Sequence, residues 1–238
     1  MNEEKNMRLT DRLQAIANFI PKNTIVADIG TDHGYIPIYL IEKGISKRVI
    51  ATDISRNSLN KIVEYMGEGR YDGKIDTRVG DGLEPIKPFE VDTVVIAGMG
   101  GLLIRDILDG DEYKRDSITN FILQPNVAAR ELRMYLYENN FKIVDEALVK
   151  EEDRFYEVIW AKKGKDYVER DIYYEIGKKL LSNRDPLLKE FICNKIDIKK
   201  GILKELEGKD TPKVMDRHGE LIENIDELRM VLDEVESD

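Results

Sequence analysis

The 238-residue chain contains one cysteine, Cys193, and two histidines. A single cysteine excludes an internal disulfide framework, and these three residues are too few for a typical zinc cage. No run of about 18 apolar residues occurs, so the sequence predicts no transmembrane helix. The opening letters MNEEKNMRLTDRL are charged and lack the apolar centre of a signal peptide. We therefore expect a cytoplasmic, metal-free protein.

Basic residues are in the minority, with 37 Lys and Arg against 47 Asp and Glu and a formal net charge of −10. An acidic balance argues against indiscriminate nucleic-acid binding, which a basic surface favours. It leaves open a locally basic face.

Short apolar segments alternate with helical stretches through the first two-thirds of the chain. The segments of strand length are 24–30, 48–54, 75–80, 91–98 and 119–126. The helix-like stretches between them are 34–43, 55–66, 100–109 and 127–139. Near-continuous apolarity is typical of strands buried on both faces, and the alternation predicts βαβ units in an α/β fold with a parallel sheet.

The pattern changes after the fifth strand. Residues 141–164 contain two strands joined by a short polar turn at Glu152 and Asp153, which predicts a β-hairpin with one antiparallel strand. A parallel sheet closed by a hairpin is the outline of the Rossmann-like class I methyltransferase fold. We place a domain boundary at Gly164, which gives domains of residues 1–164 and 165–238.

The second domain is predicted to be helical and highly charged. Gly208 ends one helix, and Thr211 is the expected N-cap of the next, before Pro212. Apolar residues recur at alternating steps of four and three, the spacing of a coiled-coil seam, at Leu221, Ile225, Leu228, Leu232 and Val235. The short connection predicts an antiparallel helical hairpin and a monomer.

The stretch VADIGTDHGYIP, residues 26–37, follows the first strand and opens the first helix. Gly30 and Gly34 allow close approach of a ligand to the backbone. A dinucleotide would bring its pyrophosphate to this helix N-terminus, where Asp28 and Asp32 would repel it. The ligand is therefore expected to be cationic or zwitterionic, as S-adenosyl-L-methionine is.

Three further strand ends fit the same ligand. Asp53 can accept hydrogen bonds from both ribose hydroxyls, and Asp81 can contact the adenine edge. The glycines of AGMGG leave the backbone exposed beside the methyl group, with Met99 as part of the wall. The predicted cofactor-binding residues are Asp28, Gly30, Asp32, His33, Gly34, Tyr35, Asp53, Ile54, Asp81, Gly82, Ala97, Gly98, Met99 and Gly100. Each site alone could also be a plain turn or a helix cap.

Taken together, VADIGTDHGYIP, RVIATDIS, VGDGL, VVIAGMGG, ILQPN and EEDRFYEVIWAKKG resemble the bacterial tRNA (adenine-22-N1)-methyltransferase family. The resemblance covers nearly the whole chain. It implies an S-adenosylmethionine-binding Rossmann-like domain followed by a helical coiled-coil domain. It also implies methyl transfer to N1 of an adenine in the D-arm region of tRNA.

Adenine N1 is neutral near pH 7 and carries an in-plane lone pair, so no general base is obligatory. We expect catalysis by positioning and by groups that favour the developing positive charge. The proposed catalytic residues are Asn126 and Gln124, which would hydrogen-bond the base edge, and Asp32, which would orient it with His33. Asn126 could instead be the N-cap of helix 127–139.

Five lysines are candidate RNA contacts: Lys162, Lys163, Lys165, Lys195 and Lys199. Each cluster could instead be a solvated helix face, which is the commoner explanation of such charges. Other functions also stay open at this point. They are an N-methyltransferase acting on another nucleic acid or a small molecule, a nicotinamide-dependent oxidoreductase, and a non-catalytic Rossmann and coiled-coil adaptor.

Overall fold

The computed structural model describes residues 7–31, 33–67, 71–209 and 211–237. The chain divides into two compact units, Met1–Tyr167 and Val168–Asp238. Among the helices of these described ranges, none has an apolar stretch long enough to cross a lipid bilayer.

The first unit is built on a seven-stranded sheet in the order β3-β2-β1-β4-β5-β7-β6. Its strands are β1 (Thr24–Ile29), β2 (Ser46–Asp53), β3 (Ile75–Val79), β4 (Thr93–Gly100), β5 (Asn120–Val127), β6 (Phe141–Glu151) and β7 (Arg154–Lys163). Strands β1 to β5 pair in parallel, whereas β7 pairs antiparallel with β5 and β6. The predicted Rossmann-like sheet closed by a β-hairpin is confirmed.

The helices of this unit are α1 (Asp11–Phe19), α2 (Tyr35–Glu42), α3 (Arg56–Met66), α4 (Gly101–Asp109), α5 (Glu112–Asp116) and α6 (Ala129–Glu138). The four predicted helical stretches are confirmed to within two residues at each end. Helix α1, before the first strand, was not predicted. It begins after Thr10, whose hydroxyl accepts a hydrogen bond from the N–H of Leu13 at 3.4 Å.

Helices cover both faces of the sheet. Val94 and Ile96 of β4 are fully buried in one cluster with Leu132 of α6. Val95, between them, points to the other face and packs in a second cluster with Ile16 of α1. Each such side chain contributes about 1.5–3 kcal/mol when fully buried. Burial on both faces explains why the strands are almost continuously apolar.

A buried ion network attaches the hairpin to α6. The guanidinium of Arg133 donates to Glu146 from Nε and to Glu157 from Nη2, each at 2.7 Å. Burial alone would lower the pKa of Arg133, but the two carboxylates raise it above its ordinary value. Arg133 is therefore charged and its removal would leave two carboxylates in a poorly solvated place.

The second unit is helical, as predicted. Its helices are α7 (Ile172–Ile176), α8 (Lys178–Ser182), α9 (Leu188–Leu206) and α10 (Pro212–Ser237). Lys189, in the first turn of α9, forms an ion pair of 2.5 Å with Glu236, in the last turn of α10. This pairing of opposite ends makes the two helices antiparallel. Thr211 accepts a hydrogen bond from Val214 N–H at 3.4 Å, as expected for an N-cap.

The buried face of α10 follows the predicted seam only in its first half. Leu221, Ile225 and Leu228 are buried, but the next buried residue is Val231, and Leu232 is partly exposed. An α-helix turns every 3.6 residues, so a seam with a 3.5-residue period drifts around the helix unless the helices supercoil. The coiled coil itself stays a prediction.

Candidate active site

The carboxyl ends of β1 to β4 meet at one edge of the sheet, hereafter the carboxyl edge. Ile29 of β1 lies beside Thr52 of β2 and Ile96 of β4, and Asp53 of β2 lies beside Val79 of β3. The loops after these four strands therefore emerge together. Ligands of open α/β sheets bind at this edge. Of the residues predicted to bind the cofactor, Asp32 lies outside the described residues and Tyr35 is the first residue of α2, whereas the others lie at the ends of these strands or on the loops that follow them.

The glycine loop after β1 requires both of its glycines. Gly30 has a φ of +73° and Gly34 a φ of +68°, a region that residues with a Cβ rarely adopt. A Cβ on Gly34 would also lie 2.8 Å from Ile62 of α3. The N–H groups of Gly30 and Thr31 both donate to the carbonyl of Thr52, at 2.8 and 2.9 Å. The loop is thus held against the end of β2.

Asp28 is a buried carboxylate beneath this loop, with 6% of its surface exposed. Burial raises its pKa to about 6, a hydrogen bond with Thr31 opposes the rise, and the negative charge of Asp53 adds to it. A nearby positive charge would favour the ionised form of Asp28, whereas a phosphate would disfavour it further. The site therefore fits a cationic group and does not fit a pyrophosphate.

The end of β4 carries a bulge that exposes its backbone. The register with β5 shifts between Ala97 and Met99 and again between Met99 and Gly100, and Gly98 has a φ of +78°. The Met99 side chain reaches over the first loop, so that a Cβ on Gly30 would collide with its methyl group. Met99 therefore lies against the glycine loop, and its role as a wall of the cofactor pocket stays a prediction.

Gln124 and Asn126 of β5 are linked by hydrogen bonds to this bulge. Gln124 Oε1 accepts from Gly98 N–H at 3.2 Å, and Gln124 Nε2 donates to Pro125 O at 2.9 Å and to Asn126 Oδ1 at 3.1 Å. Asn126 Nδ2 donates to Gly98 O at 2.7 Å. Gln124 is fully buried and its amide is engaged by these groups, so its predicted contact with a base stays a prediction.

Asn126 is exposed and lies on β5, so its alternative role as a helix cap is wrong. Helix α6 begins after Ala128, which has a left-handed backbone with a φ of +58° and provides no side-chain cap. The exposed amide of Asn126 therefore does not cap α6.

Arg12 of α1 is a site residue that the sequence did not indicate. Its Nη1 donates to Gln124 Oε1 at 2.7 Å, and its guanidinium lies 5.2 Å from the ring centre of Tyr156. Its backbone N–H donates to Glu151 at 2.9 Å. The only signal in the sequence was Thr10, a suitable N-cap before the apolar residues of α1.

The remaining predicted cofactor residues lie along the carboxyl edge. Ile54 is 74% exposed directly after Asp53, whose carboxylate accepts from Ser55 N–H at 2.6 Å. Asp81 and Gly82 line a cavity of about 420 Å³ against α4. Near the glycine loop, the rings of His33 and Tyr35 lie 5.5 Å apart and both residues are exposed.

Two of the predicted RNA contacts, Lys162 and Lys163, lie at the end of the sheet opposite to the carboxyl edge. Lys162 pairs with Asn120, the first residue of β5, because β7 runs antiparallel. Lys163 forms an ion pair of 2.7 Å with Asp116. Both are separated from the end of β5 by roughly 20 Å, the length of an eight-residue strand. Contact of these two lysines with RNA stays a prediction, and it would involve nucleotides about 20 Å from a base held at the carboxyl edge.

Two others are engaged within the helical unit. Lys195 and Lys199 lie 3.0 and 3.5 Å from Glu175, with side chains that are less than one-fifth exposed. Their ion pairs with Glu175 already offset part of their charge. Lys165, in contrast, is exposed.

Residues 9–159 match the methyltransferase domain family. The chain is 37% identical over 175 residues to the tRNA (adenine(22)-N(1))-methyltransferase of Bacillus subtilis strain 168, an alignment that covers 74% of this chain and 71% of that protein. The Streptococcus pneumoniae protein Sp1610 in complex with S-adenosyl-L-methionine is 28% identical with a TM-score of 0.83, over 94% of this chain and 100% of that one.

The M. capricolum protein TrmK in complex with S-adenosyl-homocysteine is 31% identical with a TM-score of 0.81, over 94% of this chain and 98% of that one. These similarities span both the α/β unit and the helical tail. The chain belongs to the tRNA (adenine(22)-N(1))-methyltransferase family.

Proposed function

We propose that the protein transfers a methyl group from S-adenosyl-L-methionine to N1 of adenine 22, in the D-arm region of tRNA. Family membership and relatives in complex with S-adenosyl-L-methionine and S-adenosyl-homocysteine support the proposal. The observation in this chain that carries it is the buried Asp28 next to Asp53, beneath a loop that requires Gly30 and Gly34.

The negative charge of this pocket discriminates between S-adenosylmethionine and a nicotinamide dinucleotide. The negative charge of Asp53 and the burial of Asp28 both make a further anion unfavourable. A nicotinamide dinucleotide would bring two phosphate charges to this loop, whereas S-adenosylmethionine brings a sulfonium and an ammonium group. The pocket therefore favours the methyl donor over the dinucleotide.

S-adenosylmethionine supplies an electrophilic methyl group on a positively charged sulfur. The lone pair of adenine N1 forms a bond to the methyl carbon, the carbon–sulfur bond breaks with its electron pair left on sulfur, and the positive charge passes to the base. The residues of the chain orient the base in line with the methyl group. The exposed amide oxygen of Asn126 and nearby carboxylates stabilise the charge that develops.

The proposed roles follow the positions of the described residues, and the role of Asp32 follows from the sequence alone. Asp53 and Ile54 hold the ribose and adenine of the cofactor, with Asp81 and Gly82 at the adenine edge. The backbone from Ala97 to Gly100 frames the methyl group. Asp32 and His33 orient the ligands at the first loop. Asn126 contacts the acceptor base, and Gln124 holds the Asn126 side chain in place through the hydrogen bond between their amides.

We also propose a division of labour between residues 1–164, which carry the reaction, and residues 165–238, which contact the tRNA. Lys165 is one of the exposed lysines among the five candidate RNA contacts. The enzyme is proposed to act as a metal-free monomer, and a tRNA substrate implies that it acts in the cytoplasm. The net charge of −10 predicts modest and strongly salt-dependent affinity for RNA.

Nucleoside mass spectrometry tests the chemistry. The protein is incubated with S-adenosylmethionine carrying an isotopically labelled methyl group and with unmodified tRNA, and the RNA is then digested to nucleosides. We expect labelled 1-methyladenosine. Labelled N6-methyladenosine, a labelled guanosine derivative or no labelled nucleoside would contradict the proposal.

A further inference from the structure

The hydrogen bonds around Gln124 fix the orientation of its amide. A guanidinium can only donate, and a backbone N–H can only donate. Arg12 Nη1 and Gly98 N–H both face the same atom of Gln124, at 2.7 and 3.2 Å, so that atom must be the oxygen. Gln124 Nε2 is then directed toward Asn126. Because Gln124 is fully buried, water cannot satisfy a flipped amide.

The orientation of the Gln124 amide in turn fixes the orientation of the Asn126 amide. The atom of Asn126 that faces Gln124 Nε2 at 3.1 Å must accept, so it is Oδ1. Its Nδ2 then donates to the carbonyl of Gly98 at 2.7 Å, where an oxygen would be repelled. An amide oxygen has two lone pairs, and only one is used here. Asn126 is exposed, so it presents an acceptor to a ligand at the carboxyl edge.

We propose that Arg12 is a positioning residue that acts through Gln124, and that the Asn126 oxygen accepts a hydrogen bond from the 6-amino group of the target adenine. The inference rests on the proposed function and adds which group of the base the site recognises, namely the 6-amino group. The 6-amino group is adjacent to N1, so this contact also holds N1 toward the methyl donor. The Arg12–Gln124–Asn126 chain thereby selects a 6-aminopurine.

The same arrangement rejects guanine twice. The 6-oxo group of guanine would place an acceptor against the Asn126 oxygen, and its N1 carries a proton in place of a free lone pair. A purine without a 6-substituent keeps the N1 lone pair and lacks only the proposed contact. It is therefore the sharpest probe of the role of Asn126.

The experiment compares two tRNAs that differ only at position 22, one with adenosine and one with purine riboside. Methyl incorporation gives kcat/KM for each, and their ratio measures the recognition of the 6-amino group. Because N1 of purine is intrinsically less nucleophilic, the ratio of each variant is compared with that of the wild type. We expect Asn126→Ala to lower the ratio about tenfold, which is the upper range for one neutral hydrogen bond. The decrease should come from a lower kcat/KM for the adenosine tRNA, with kcat/KM for the purine riboside tRNA unchanged.

Arg12→Ala is expected to lower the same ratio while the Kd for S-adenosylmethionine changes less than twofold. Arg12→Lys keeps a donor and should recover part of the ratio. Gln124→Glu keeps the acceptor for Arg12, removes the amide donor that faces Asn126, and should lower the ratio without a change of shape. Arg8→Ala is the matched control, since it removes one exposed cation three residues before the start of α1 and should leave the ratio unchanged.

Equal losses on adenosine and purine riboside in Asn126→Ala would overturn the proposal, as would an unchanged ratio in both Arg12→Ala and Gln124→Glu with thermal unfolding like that of the wild type. Failure of the proposed function is distinguishable, because the wild-type protein would then methylate neither tRNA.

Discussion

Arg12 in the first helix donates a hydrogen bond of 2.7 Å to Gln124 in the fifth strand, 112 residues further along the chain. Helix α1 therefore contacts the candidate active site as well as the core. Its buried residues Ile16 and Ala17 pack on the sheet, and this packing holds Arg12 over the bulge at Gly98.

We predict that Gly101→Ala destabilises the protein. A Cβ at Gly101 would collide with the carbonyl oxygen of Ala128, and backbone cannot move aside as a flexible side chain can. Overpacking of this kind costs about 1–3 kcal/mol. Urea denaturation measures the loss. Gly201→Ala is the control: Gly201 lies inside α9 with no atom within 4 Å of its Cβ position, so alanine should be neutral or stabilising there. Equal effects at both positions would contradict the account.

The charge of Asp28 is predicted to destabilise the cofactor-free protein. Its pKa is raised from 3.8 to about 6, mainly by burial. The folded state therefore binds the proton more tightly than the unfolded state, and stability falls as the pH rises from about 4 to 6. The shift corresponds to at most about 3 kcal/mol. Asp28→Asn should raise the free energy of unfolding at pH 8 by up to this amount and have no such effect near pH 4. A gain that is equal at both pH values would show that charge is not the cause.

The binding of S-adenosylmethionine should depend on the same proton. A cationic ligand favours ionised Asp28, so binding lowers its pKa and releases a proton below about pH 6. Calorimetry should show that the affinity of the wild type declines by up to about tenfold per pH unit below pH 6. Asp28→Asn should bind weakly with little pH dependence, whereas Asp72→Asn, at an exposed site, should follow the wild type. A pH-independent Kd for the wild type would show that Asp28 does not interact with the bound S-adenosylmethionine.

Arg133→Met should be among the most destabilising substitutions outside the active site. It would leave Glu146, which is 4% exposed, and Glu157 without the guanidinium that compensates them. Breaking a buried pair from one side costs about 3–5 kcal/mol. Arg217→Met removes an exposed partner of Glu220 and should cost less than about 1 kcal/mol. Similar midpoints for the two variants in thermal unfolding would contradict this interpretation of the hairpin attachment.

Local sequence signals predicted the sheet and its carboxyl edge. Strands buried on both faces are apolar throughout, and the short turn after Glu151 allows only a hairpin, so the order of elements followed from the pattern. Gly30 and Gly34 could be identified because no other residue suits their backbone. The acidic character of this loop also indicated the charge of the ligand.

Features that depend on distant contacts could not be predicted. Arg12 reaches Gln124 only through the docking of α1, which no local pattern encodes. The surroundings of the lysines depend on distant contacts too: the antiparallel direction of β7 places Lys162 beside the start of β5, and Lys195 meets Glu175 only after the helices pack. In a chain with 35% charged residues, many cations are partnered within the fold.

The most direct test of the central claim is the mapping of the methylated nucleotide in tRNA by primer extension, which 1-methyladenosine blocks on its Watson–Crick edge. The wild-type protein and S-adenosylmethionine should produce one new stop, next to adenine 22, which disappears when that adenine is replaced by guanine. A stop at another nucleotide, or one that persists in the substituted tRNA, would contradict the account.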